Sequence, residues 1–145
     1  MIYDILYFFP NIKEFRQLFR YDLAFNAAFH EKKKLGWRDR HKYEMKYVRL
    51  LRQCQANKER IWRYYYHLRL KQMCKKTGIG LYWDVSIGKG LVIGHYGRIV
   101  VNGGVKFGND IVLTHNVTIG RDVRGKRKGV PTIGNRVVIR TNSTV

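Results

Sequence analysis

Acidic residues are scarce in this chain. Ten Asp and Glu stand against 29 Lys and Arg, leaving a formal charge of +19 over 145 residues. Such a surface suits phosphates, polyanions or an anionic membrane, and it disfavours cationic partners. Cysteine is nearly absent as well. Cys54 and Cys74 form no C-x-x-C and show no metal spacing, which excludes a disulfide scaffold and a cysteine zinc site. Two free thiols in a reducing compartment are expected. No apolar run reaches the length of a bilayer span. The opening MIYDILYFFP is apolar but short, carries Asp4 and lacks a basic start, so no signal peptide is expected. These features point to a cytoplasmic protein, with peripheral attachment at the inner membrane face left open.

What is present changes character near residue 80. Residues 1–80 are expected to form a basic helical region, and 81–145 a second domain. Asn11 with Glu14 three places later has the form of a capping box after Pro10. It predicts a helix to about Glu31 that buries Phe15, Leu18 and Phe19, with Gly36 in KKKLGW as its stop. From about Asp39 the apolar positions Tyr43, Tyr47, Leu50, Cys54, Ile61, Tyr65 and Leu68 recur at helical spacing, as one face. The other faces are rich in Lys and Arg. They read equally as a solvated surface and as a dock for anionic headgroups or a phosphate-bearing substrate. IWRYYYHLRLK (61–71) mixes aromatic and basic residues, a composition that suits a membrane interface and equally a nucleic acid. No nucleic-acid motif accompanies it, and no nucleic acid is expected as partner.

After residue 80 the period becomes six. VSIGKG, LVIGHY, IVVNGG, VKFGND, IVLTHN, VTIGRD, PTIGNR and VVIRTN align in register from Val85 to Asn142. An aliphatic residue leads most segments, a second large apolar residue follows two places later, and then usually Gly. This pattern predicts a β-solenoid of hexapeptide rungs, with first and third residues pointing inward. The beat breaks twice. Leu91 to Ile99 spans eight positions instead of six, around GHYGR, and Val117 to Pro131 spans fourteen, around VRGKRKGV. Insertions in a solenoid leave as loops and often build its binding face.

The hexads, the histidine at the first break and the GVPTIG after the second resemble the serine O-acetyltransferase branch of the hexapeptide acyltransferases. More narrowly, IGHYGRIVVN and the RGKRKGVPTIGN stretch look like the O-acetyltransferases of capsule and exopolysaccharide synthesis. The resemblance covers about residues 62–145. It implies an α+β chain: an N-terminal helical segment followed by a left-handed parallel β-helix. It further implies a homotrimer with active sites between subunits, acetyl-CoA as donor and no metal. His95 falls on the family's catalytic base, and imidazole suits that task because its pKa lies near working pH. Gly120 and Arg121 align with a rung end beside the pantetheine arm, and Thr141 with a backbone contact one coil further. Lys126, Arg127 and Lys128 read as contacts to the phosphates of coenzyme A, or as a solvated charge run.

The departures from the serine enzymes also carry information. Gly80 stands where an aspartate orients the catalytic histidine, Gly94 where an aspartate helps hold serine, and Gly129 where an arginine binds its carboxylate. They favour a sugar hydroxyl of a surface polysaccharide or its precursor over free serine or another small metabolite. A third reading is an inactive basic solenoid that binds polyanions or membranes. Asp84 is a candidate partner for the His95 ring. His115 keeps the period of its segment and reads as structural, with a neighbouring copy's His115 left open to line the same cleft; a metal site shared by His95 and His115 lacks the expected ligand spacing. His30, His41 and His67 read as solvent or packing residues. TNSTV falls on an uncapped rung, so the solenoid is expected to be truncated at its C-terminus.

Overall fold

A computed structural model describes residues 10–126 and 128–145. The apolar opening stretch with Asp4, and Arg127, lie outside the described residues. Among the described residues, four helices precede nine short strands. Helix α1 (Ile12–Phe29) starts at the expected cap: Asn11 Oδ1 accepts the Glu14 N–H at 3.3 Å, and Asn11 Nδ2 donates to Glu14 Oε2 at 2.8 Å. It ends before the basic run rather than at Gly36. Glu31 is already left-handed at φ 55°, and Gly36 instead caps the short α2 (Trp37–Arg40). Phe15, Leu18 and Phe19 are half-buried, and the buried side of α1 is Asp22, Asn26 and Ala27.

The single apolar face expected from Tyr43 to Leu68 is divided between α3 (Tyr43–Ala56) and α4 (Ile61–Thr77). On α3 the pattern holds, with Tyr47 and Cys54 buried and Leu50 partly so. Both thiols are free, and burial pushes that of Cys54 up to about 12. The turn at Asn57 resets the helical phase. On α4, Leu70 and Thr77 are buried, whereas Ile61, Tyr65 and Leu68 face out. Gly78, left-handed at φ 68°, closes α4 with its N–H on Cys74 O at 2.9 Å; a side chain there would be strained. No described helix is long and apolar enough to cross a membrane.

The strands are β1 (Ile79–Gly80), β2 (Ser86–Ile87), β3 (Leu91–Ile93), β4 (Ile99–Val101), β5 (Lys106–Phe107), β6 (Ile111–Leu113), β7 (Val117–Ile119), β8 (Thr132–Ile133) and β9 (Val138–Ile139). They stack into three parallel sheets, β1-β4-β7, β2-β5-β8 and β3-β6-β9. Each coil of the chain adds one strand to every sheet, which makes a parallel β-helix with three corners. The register explains both breaks. Ile99 pairs with Val117, eighteen positions on, which is three hexads. Ile79 pairs with Ile99, twenty on, and Lys106 with Thr132, twenty-six on. The two and eight surplus residues leave at corners and do not disturb the strands.

Inward residues such as Leu91, Ile99, Ile111, Leu113, Val117 and Ile119 are almost wholly buried. Tyr47, Val48, Leu51 and Leu70 of the helices join the same apolar core. A buried ion pair docks the two parts as well. Arg52 of α3 donates to Asp22 of α1 through Nε at 2.7 Å and Nη2 at 3.0 Å, with both side chains fully buried. Asp22 Oδ1 also accepts the N–H groups of Gly90 at 2.9 Å and Leu91 at 3.0 Å. Arg52 reaches the carbonyls of Ile87 at 3.1 Å and Gly88 at 2.6 Å. Asn26 Nδ2 donates to Leu91 O at 2.8 Å. Every charge in the cluster has a partner, as a buried pair requires.

Candidate active site

β3 ends at Ile93, and β4 begins at Ile99. Between them, residues 94–98 turn a corner that residues 114–116 of the next coil turn with two fewer. Counted from β3, the two surplus residues follow His95, before Ile99. Gly97 at φ 117° and Arg98 at φ 46° carry the reversal, and Gly97 occupies a conformation open to little else. Tyr96 packs edge-on against Tyr43 at the start of α3, with ring centroids 5.6 Å apart. The helical region thus braces the bulge. His95 is exposed.

His115 stands 6.0 Å from His95 between ring centroids, edge to face. The sequence favours a structural role for it and leaves open a place at the cleft. The register puts it beside His95 within one chain: Leu91 pairs with Ile111, so His115 occupies the His95 position one coil later. Thr141 follows on the same corner, its Oγ1 3.1 Å from Thr114 Oγ1. Asn116 and Asn142 continue this corner ladder with a side-chain hydrogen bond.

A cavity of about 240 Å³ opens beside His95, lined by Ile93 and Gly94 and, from the helical region, by His30, Asp39, Lys42 and Glu44. His30, expected as a solvent or packing residue, is part of this wall. Lys32, at 2.6 Å, and Lys42, at 3.1 Å, hold the Asp39 carboxyl down to about 2. The cavity therefore offers both signs of charge within reach of an imidazole.

Asp84 lies at another corner, between β1 and β2, and lines a different cavity with Glu14 and Lys58. Within one chain Asp84 and His95 therefore stand at different corners. Gly120, Arg121 and the basic loop share Asp84's corner, since they lie between β7 and β8. The loop folds back as a small hairpin: Asp122 and Gly129 exchange N–H···O bonds at 2.9 Å, and Arg124 N–H donates to Asp122 Oδ1 at 3.0 Å. Lys126 and Lys128 are exposed on it. The expected donor residues are thus divided: Gly120, Arg121, Lys126 and Lys128 at one corner, Thr141 at the histidine corner. No group of metal ligands occurs among the described residues.

No family model matches the chain. Over 69 residues it is 38% identical to the serine acetyltransferase of two Helicobacter pylori strains, a match covering 48% of this chain and 40% of theirs. The match spans well under two thirds of those relatives. Among solved structures, serine acetyltransferase 1 of Entamoeba histolytica superposes with a TM-score of 0.70 at 22% identity, over 90% of this chain and 52% of that one. The Neisseria gonorrhoeae serine acetyltransferase also gives 0.70, at 18% identity, over 90% and 50%. At such identities the likeness speaks for the fold. None of these relatives supports the narrower likeness to capsule and exopolysaccharide enzymes. What they do establish is the fold: this chain shares the left-handed parallel β-helix of the serine acetyltransferases, and the helices before it fit that likeness.

Proposed function

We infer that this chain belongs to an acetyl-CoA-dependent O-acetyltransferase with His95 as general base. The observation that carries the reading is the bulge at 94–98, which lifts His95 out of the solenoid beside a charged cavity. In the reaction, the imidazole takes the proton of an acceptor hydroxyl as its oxygen attacks the thioester carbonyl. The C–S bond then breaks, and coenzyme A leaves as a thiol after receiving the proton. Lys126, Arg127 and Lys128 would meet the phosphates of the donor, and Gly120, Arg121 and Thr141 its pantetheine arm. Two corners of one prism cannot face each other, so a single site using both sets requires a second copy, in keeping with a homotrimer.

For the acceptor, the relatives' names favour serine. Asp39 and Glu44 beside Lys42 and His30 offer partners for both ends of a zwitterion. A sugar hydroxyl is the second reading, resting on Gly94 and Gly129 where the serine enzymes carry charged groups. Thiol release from acetyl-CoA tests both, with serine or a polysaccharide as acceptor, beside His95→Ala. A fall of roughly 10²–10⁴-fold is expected from the loss of one positioned base. An undiminished rate in the variant would overturn the assignment. Turnover with a sugar polymer and none with serine would decide for the second reading.

A further inference from the structure

The phase reset at Asn57 leaves α4 with two apolar sides. One packs inward through Leu70, Met73 and Cys74. The other carries Ile61, Tyr64, Tyr65 and Leu68, a stripe at helical spacing. Ile61 is 70% and Tyr64 66% exposed, so no described residue covers either. By the same spacing Arg69 and Lys76 lie along one rim of the stripe and Lys71 along the other.

On the first rim, α3 and α4 enclose a groove of about 600 Å³. Four exposed cations line it, Lys46, Arg49, Arg69 and Lys76, and no Asp or Glu does. Among the described residues none of the four pairs with a carboxylate; tyrosine rings hold three of them instead. Lys76 sits 4.8 Å above the ring of Tyr43 and lowers the pKa of its hydroxyl, while Arg69 donates to Tyr65 Oη at 3.0 Å. Four exposed cations with no carboxylate beside them make the groove a positive surface that attracts anions.

We propose that the outer face of α4, with the groove beside it, is a docking surface for an anionic lipid bilayer. The stripe would enter the headgroup layer, and the groove cations would meet lipid phosphates. An exposed stripe of aliphatic and tyrosine side chains between basic rims has the composition of an interfacial helix. Exposed aliphatic residues add little to a nucleic-acid site, which works by stacking and phosphate contacts. This inference is independent of the acetyl-transfer reading.

The test is co-flotation of the intact chain with vesicles of phosphatidylcholine alone or with phosphatidylglycerol. Binding is expected only with the anionic lipid, and it should weaken as salt rises. The double variant Arg49→Gln/Arg69→Gln should lose about fivefold in partition per charge removed. The double variant Ile61→Ser/Leu68→Ser should lose roughly tenfold or more while keeping its melting temperature. The proposal is overturned if vesicles of either lipid bind equally, or if neither variant changes binding. It is overturned too if inorganic pyrophosphate at low millimolar concentration abolishes binding, since a small phosphate site would then explain the groove. Single-stranded RNA bound with the same dependence on Ile61 and Leu68 would also overturn it. So would a change of oligomeric state in the serine variant with vesicle binding intact, which would make the stripe a contact between copies.

Discussion

The solenoid is held from within by aliphatic side chains, layer upon layer, whereas the helices are fastened to it by a buried ion pair as well as by apolar contact. In the first region each inward position resembles the one a coil away: Leu91 lies over Ile111, and Ile99 over Val117. In the second, specific groups meet once. Asp22, Asn26 and Arg52 satisfy the backbone of Ile87, Gly88, Gly90 and Leu91, just where the chain turns toward β3 and His95. A repeated apolar layer tolerates local change, because its neighbours bear part of the load. A polar cluster in low dielectric does not, because removing one member strands the others.

That difference can be broken experimentally. The largest effect is expected from Asp22→Ala, which leaves the Arg52 guanidinium buried without its carboxylate and two backbone N–H groups without an acceptor. It should cost about 3–5 kcal/mol in urea unfolding. The shared core predicts a single transition. A biphasic curve, with helical signal lost first, would show that the ion pair alone joins the halves. Ile111→Ala, in the middle coil, removes buried aliphatic volume and should cost about 2–5 kcal/mol, nearer the lower end if the adjacent layers close over it. A cost above that of Asp22→Ala would reverse the comparison.

The smallest effect concerns the link between α1 and α2. Lys32 and Lys42 stabilise the ionised Asp39 and lower its pKa to about 2. A carboxyl with a folded pKa below its unfolded one adds stability that is present above the unfolded value and fades as pH falls through the folded one. The contribution should therefore disappear between about pH 4 and pH 2. Asp39→Asn should flatten the melting temperature across that interval, lowering it slightly at neutral pH and leaving it unchanged near pH 2. An unchanged acid slope would place the sensitivity elsewhere.

The solenoid was legible because its period is a direct consequence of geometry. Three short strands and three corners use eighteen residues, and every hexad announces one strand. The two interruptions were visible for the same reason, and with them the bulge at His95 and the basic hairpin. Helix α1 was legible at its start through Asn11 and Glu14, a local hydrogen-bond pattern. Its end fell within two residues of the expected Glu31, but the stop was the left-handed backbone at Glu31 and not Gly36. The break at Asn57 was missed because helical spacing continues across a four-residue turn as if nothing intervened. That error hid the exposed stripe on α4. His115 was read as structural, with a role at the cleft left open; that it stands beside His95 of the same chain shows only when the coils are stacked.

The sequence by itself determined the hexapeptide β-helix, the places where it is interrupted and the imidazole offered at the first of them, since all three follow from local periodicity and its failures. Only the tertiary structure decided that Asp22 and Arg52 meet, that His30, Asp39 and Glu44 share a cavity with His95, and that the histidine and the basic loop occupy different corners. These pairings join residues with no common period. Their proximity comes from how the helices pack on the coils, and such packing is set by the whole shape of both surfaces rather than by any stretch of chain.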